Sequence, residues 1–451
     1  MRVRRNRGIR AALAIAACAG VLAGCDTFGW LGAETQDPLP GQRISVLERE
    51  ARLSADVTGG AEEILLPAPE PNDDWPMAGG YANHAMHHMS LGDAPQQVWR
   101  TDIGAGAGSR DALLSEPVIG GGRIYTIDAD AEVRAYDLAN GARLWARELP
   151  DPDREEDDGY LLGGGIAYGA NERLYVTTGF GKVIALDAAN GQEIWREDVG
   201  VPVRAAPTLN SGRVFVVTVD NQTIALAAQN GQKLWTHAGA EEVASLLGAP
   251  APAVDQGAVI VAYSTGELFA LRVETGAVLW QDSVTTVRRT DAAGNLRDIR
   301  ARPVMAGNRV YVVGHSGLMT AIDLATGERI WQADLGGVQQ PWVAGRYLFV
   351  MTGEADLAAV SAKDGSILWV TPLQRWEDPE DKEGPVTWTG PLLASDRLVV
   401  ASNTDEILAI SPYDGALLGY VEAPGSVTIP PVLARDTLVI LTDSGDLVAY
   451  R

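Results

Sequence analysis

From residue 98 onward, short apolar runs alternate with clusters of glycine, asparagine, aspartate and proline, a pattern of many short strands joined by turns. Runs rich in β-branched and aromatic residues recur eight times: Arg123 to Ile127, Leu174 to Thr178, Val214 to Val219, Val259 to Tyr263, Val310 to Val313, Tyr347 to Met351, Leu398 to Ala401 and Leu438 to Thr442. Each repeat then shows a strand ending, a turn and a tryptophan. Ala135-Tyr136-Asp137 leads to Gly141 and Trp145, Ala185-Leu186-Asp187 to Gly191 and Trp195, and Ala225-Leu226-Ala227 to Gly231 and Trp235. Ala270-Leu271-Arg272 leads to Gly276 and Trp280, Ala321-Ile322-Asp323 to Gly327 and Trp331, and Ala359-Val360-Ser361 to Gly365 and Trp369. A seventh copy, Ala409-Ile410-Ser411 with Gly415, has Gly419 where tryptophan belongs. Asn140-Gly141, Asn190-Gly191, Asn230-Gly231, Asp364-Gly365 and Asp414-Gly415 supply positive-φ positions for tight connections. Pro117, Pro207, Pro303, Pro391 and Pro431 introduce first strands, where a missing N–H costs no ladder bond.

The unit is therefore four strands repeating at about 38 to 51 residues, the spacing of propeller blades or solenoid units. Counting shows how the array closes. Leu447 to Arg451 matches a third strand without its tryptophan strand, and Val98-Trp99-Arg100-Thr101 matches that missing strand at the start. Together they complete an eighth blade. The expected fold is all-β: an eight-bladed β-propeller of four-stranded antiparallel blades over 73–451, its ring closed by amino- and carboxy-terminal strands sharing one blade. Such closure removes a long exposed edge.

The amino-terminal segment carries different chemistry. Arg2, Arg4, Arg5, Arg7 and Arg10 precede the apolar run Ala11 to Ala23, which is shorter than the roughly 20 residues of a membrane span and reads as a secretory signal over 1–24. It ends in Leu22-Ala23-Gly24-Cys25, which resembles the bacterial lipobox. That resemblance implies lipidation of Cys25 with diacylglyceryl and palmitate-type chains and cleavage before it. Two or more acyl chains anchor a protein stably to a bilayer. The only other cysteine, Cys18, leaves with the signal, so the mature chain has no internal disulfide. Residues 25–72, rich in proline, are expected as a lipidated flexible tether with room for a short helix over Ile44 to Leu53. Net charge is −23, and without the signal's five arginines it is −28, which makes nucleic acid and anionic lipid headgroups poor partners.

The A-[apolar]-D-x-x-x-G-x-x-x-W repeats resemble those of the PQQ-like, quinoprotein-type eight-bladed propellers, over residues from about 73 to 451. The resemblance implies that each tryptophan sits on an outer strand and packs on a neighbouring blade. One branch of that family oxidises alcohols or sugars with pyrroloquinoline quinone and calcium. The other is the BamB-type outer-membrane assembly lipoproteins, which bind the barrel insertase BamA. Many of the enzymes carry an adjacent cysteine pair under the cofactor, whereas this chain has no cysteine after Cys25. Asp137, Asp187 and Asp323 occupy turn positions, where carboxylates cap amides. The expectation is thus a non-catalytic scaffold without cofactor or metal, with a quinone-dependent dehydrogenase or a binding module of another envelope complex as alternatives.

Two segments resemble BamA-contact loops of the BamB branch. In Ala244-Ser245-Leu246-Leu247-Gly248, Leu246 takes a contact leucine's position, while Ala244 and Leu247 depart from the pattern. In Asp298-Ile299-Arg300-Ala301-Arg302-Pro303, Asp298 is kept and Arg300 reverses a charge. Leu246, Leu247, Asp298 and Arg300 are therefore the candidate partner-binding residues, for a BamA-like insertase, other assembly subunits and unfolded outer-membrane proteins. The resemblance implies an outer-membrane protein facing the periplasm, although Asp26 after the lipidated cysteine resembles an inner-membrane retention signal. His84, His87 and His88 are the one metal-like cluster, in a segment, Trp75 to His84, that resembles the family's opening. Acidic runs at Asp151 to Asp158 and Glu377 to Glu383 read as solvated loops or docking sites for a basic partner.

Overall fold

A computed structural model describes residues 53–56, 63–108, 115–149, 163–240, 250–284 and 299–451. Eight four-stranded antiparallel sheets form, with one further two-stranded sheet. They are eight propeller blades: blade 1 covers 118–148, blade 2 164–198, blade 3 208–238, blade 4 253–283, blade 5 304–333, blade 6 342–372 and blade 7 388–422. Blade 8 takes three strands from 432–450 and its outer strand from Gln97–Asp102, with Trp99 opposite Ala449. The closure expected from the two chain ends is the one observed.

Within each blade the outer strand is the most exposed and the inner three are largely buried, because both of their faces meet neighbouring blades. Val214, Phe215 and Val216, and likewise Val259, Ile260 and Val261, are fully buried. Outer strands follow a bulge one residue after the landmark alanine, as at Ala135/Tyr136, Ala185/Leu186 and Ala225/Leu226. That extra residue aims the indole at the next blade.

The tryptophans then stitch the ring. Trp99 donates its indole N–H to Leu138, Trp145 to Ala188, Trp195 to Ala228, Trp235 to Val273, Trp280 to Leu324, Trp331 to Ala362 and Trp369 to Pro412, each a carbonyl of the following blade. The turn glycine of that blade lies flat on the same indole; a Cβ on Gly276 would stand 2.6 Å from Trp235, and φ there is +68°. The glycine is required twice over, for its backbone and for its lack of a side chain. Turn aspartates act as expected: Asp137 and Asp187 each accept the N–H two residues on at 2.8 Å.

Two local expectations change. Pro117, Pro207, Pro303 and Pro431 stand immediately before first strands, but Pro391 lies inside Trp388–Ala394, at a register shift between Thr389 and Leu392 that removes the need for its N–H. The acidic run from Glu377 to Glu383 is solvated as expected but is ordered by pairing, since Trp376–Asp378 pairs with Glu383–Pro385 in a hairpin between blades 6 and 7.

Candidate functional site

Antiparallel alternation puts the connections between blades on the same face as the turns joining second to third strands. The two candidate contact segments are the connections from blade 3 to blade 4 and from blade 4 to blade 5. Leu246, Leu247 and Asp298 lie outside the described residues, as do Cys25, Asp26, most of the expected 44–53 helix and the run Asp151 to Asp158. The ends of both segments are described. Ala240 donates its N–H to Glu267 at 2.9 Å, and its carbonyl accepts Asn221 Nδ2 at 2.8 Å. Val284 donates to the Gly266 carbonyl at 2.9 Å. Asn221 Oδ1 in turn accepts the Ser264 N–H at 3.2 Å. One blade 4 turn, Ser264 to Glu267, thus fastens the start of both connections.

Where the second segment re-enters the ring, its side chains alternate. Ile299 and Ala301 are buried and Arg300 is exposed between them. Arg302, two residues on, turns to the centre of the ring and meets buried Glu116, two residues before blade 1, at 2.5 Å. Glu116 also accepts the Gly79 N–H at 2.8 Å. No pattern along the chain marks this pair, because its partners are far apart and neither belongs to the repeat.

The centre itself is filled by a segment that pattern reading placed only as an opening. Residues 72–89 run past all eight blades in order. The Asn72 carbonyl accepts Arg435 of blade 8, Trp75 exchanges two bonds with Ile119 of blade 1, and the Pro76 carbonyl accepts Tyr168 of blade 2. Met77 sulfur accepts Leu209 of blade 3, and the carbonyls of Ala82 and Asn83 accept Val254 and Met305 of blades 4 and 5. The His87 carbonyl accepts the Trp342 indole of blade 6, and Met89 accepts Ser395 of blade 7. Packing on the ring begins before residue 73, since Tyr347 Oη accepts the Leu65 N–H and donates to the Glu63 carbonyl.

This segment separates the three histidines. His84 Nδ1 donates to the Pro303 carbonyl at 2.8 Å, and burial, with Arg302 adding to it, pushes its imidazole down to about 3. His88 donates to the Pro67 carbonyl at 2.7 Å and accepts the Asp396 N–H at 2.9 Å. These rings hold strands together, and the described residues contain no group of three metal-ligating side chains.

The quinone cofactor that the fold family implies can be tested against the centre. Trp75, Gly79, Glu116, Arg302, Gln340 and Trp342 line a space of about 30 Å³. A water molecule needs roughly 10–15 Å³ by this measure, so the space takes about two waters and does not fit a tricyclic quinone.

Comparison with known proteins agrees with this architecture. A family model described as outer membrane protein assembly factor BamB matches residues 93–156 and 129–371. The chain belongs to the BamB family. It is 32% identical over 358 residues to BamB of Aliivibrio fischeri and 27% identical over 363 residues to BamB of Yersinia pestis, in each case across 79% of this chain and 89% of the relative. Among solved structures, BamB from Moraxella catarrhalis superposes with a TM-score of 0.62 at 18% identity, over 79% of this chain and 98% of that one. Quinohemoprotein alcohol dehydrogenase from Comamonas testosteroni gives 0.64 at 13% identity, over 84% and 80%, which shows the shared fold alone.

Proposed function

We propose that this chain is a non-catalytic scaffold of the outer-membrane β-barrel assembly machinery, held by lipid on Cys25 at the periplasmic face of the outer membrane. It binds a BamA-like barrel insertase through Leu246, Leu247, Asp298 and Arg300 and supports insertion of barrel proteins. The observation that carries this reading is the shared anchorage of the two candidate contact segments on the Ser264 to Glu267 turn, with Arg300 exposed where the second segment re-enters the ring. A surface drawn from two adjacent connections on a rigid ring suits a protein partner, since loops on rigid scaffolds are where recognition concentrates. Its relatives' name, outer membrane protein assembly factor, supports the same reading. The small central space disfavours the quinone-dependent alternative.

Co-purification from detergent-solubilised envelopes tests it. A BamA-like insertase is expected at near-stoichiometric amount, and Leu246→Glu combined with Arg300→Glu is expected to reduce its recovery at least tenfold. An absent insertase leaves the reading without support. Fractionation showing only inner-membrane material would assign Asp26 the deciding role in localisation.

A further inference from the structure

We propose that the seam between blades 7 and 8 is a docking groove for an extended segment of another protein that inserts an aromatic side chain beside a basic one. The site lies away from the blade 4 face, so the insertase contact and this groove stand or fall separately.

Seven seams are closed by an outer-strand indole lying under the next blade's glycine. In the eighth, the indole's register position is Gly419, opposite Ala409 as Trp195 is opposite Ala185. A Cβ built there meets nothing within 4 Å. The facing blade is also built differently. Its outer strand Gln97–Asp102 is entered from Leu91 to Gln96 rather than from a glycine turn, and Arg397 holds that entry by the carbonyls of Gly92 and Asp93. The result is a cleft of about 240 Å³ walled by Ile407, Leu408, Val421, Leu438, Ile440 and Tyr450. Apolar cavities of ~150 Å³ already accept a benzene-sized guest.

The strand beside the cleft differs from its counterparts. Leu417–Glu422 exposes Leu417, Leu418, Tyr420 and Val421 and has no charge before its last residue, whereas the outer strands Arg143–Glu148 and Glu193–Asp198 carry several. Among the described residues it is hydrogen-bonded on one side only, by Glu406–Ile410, so its other edge can receive an added strand.

Charge selects the occupant further. At the end of this pair Glu406 stands opposite Glu422. The same register pairs Lys182 with Asp198 at 2.7 Å in blade 2, while blades 1 and 8 place Glu132 opposite Glu148 and Asp446 opposite Asp102 but bind Glu132 to Arg134 and Asp446 to Arg100; among the described residues Glu406 and Glu422 have no such cation. Like charges directly opposite destabilise a strand pair, and a cation from outside relieves them. An antiparallel segment with its aromatic over Gly419 and a lysine two or three residues earlier meets both features.

The chain's own Lys233–Ala238 strand, KLWTHA, has that spacing and serves as probe. A fluorescein-labelled, end-capped peptide of this sequence is titrated by fluorescence polarisation onto the full chain in detergent. Saturable binding is expected, at least tenfold weaker for the peptide with alanine in place of tryptophan and weaker for Glu422→Lys protein. Gly419→Trp protein, which fills its own groove, is expected to melt no lower than wild type and to lose the peptide. If its melting curve shows misfolding, Val421→Lys at the rim replaces it. Absent binding, equal binding of the alanine peptide, or undiminished binding to the filled groove overturns the proposal.

Discussion

Trp235 and His84 show two ways in which a single side chain acts across blades. Trp235 is buried between Phe215 and the Gly276 turn and donates to Val273 at 2.9 Å, so its loss leaves both a cavity and an unpaired carbonyl. Trp235→Ala is expected to cost about 3–5 kcal/mol in urea unfolding, while an exposed residue on the same strand, such as Leu234, costs far less on truncation. His84 acts through its titration. Its folded value is about 3 against 6.5 unfolded, so the unfolded chain binds the proton first. Its contribution is full above about pH 6.5 and is lost as pH falls toward 3. The lowered carboxyls of Asp198, Asp323 and Asp446 work in the same direction only at more acid pH, each held down by hydrogen bonds from Lys182, from Thr326 and from Arg100. His84→Asn keeps a donor for Pro303 and tolerates the +61° φ of this position. The variant's urea midpoint is expected to fall less than wild type between pH 7 and pH 4.

At the scale of elements, the closing blade carries the most consequence. Val448 lies on the third strand of blade 8, opposite Arg100 on one side and Ile440 on the other. A proline there removes a donor from a doubly paired strand and leaves a buried acceptor unpaired, a cost of about 1–3 kcal/mol. Val448→Pro is expected to open the ring, seen as rapid limited proteolysis of the amino-terminal strand together with a lowered melting point. The strands themselves were legible because each repeat carries short runs of β-branched and aromatic residues that end in a fixed turn. The 72–89 segment was not, because it has no period: its bonding residues answer in turn to different blades. The Glu377 to Glu383 hairpin escaped for a related reason, since its charges mask a pairing made by backbone alone.

For the whole molecule, a net charge of −23 over the full sequence disfavours contact with anionic headgroups, and the proposed lipid on Cys25 supplies the membrane contact instead. Cys25→Ser is expected to shift the chain from the membrane pellet to the soluble fraction and to abolish acyl mass on the amino-terminal peptide, read by fractionation and mass spectrometry. The repeat determined by itself the blade number, the closure by Trp99 and the odd seam at Gly419, because spacing between glycine and tryptophan is a local covalent distance. Only the tertiary structure decided that Arg302 meets Glu116, that the histidines hold separate blades, that both candidate contact segments start from one turn, and that the missing indole leaves an open cleft. Those relations join residues far apart in sequence, and no periodic signal records which distant surfaces a ring of blades brings face to face.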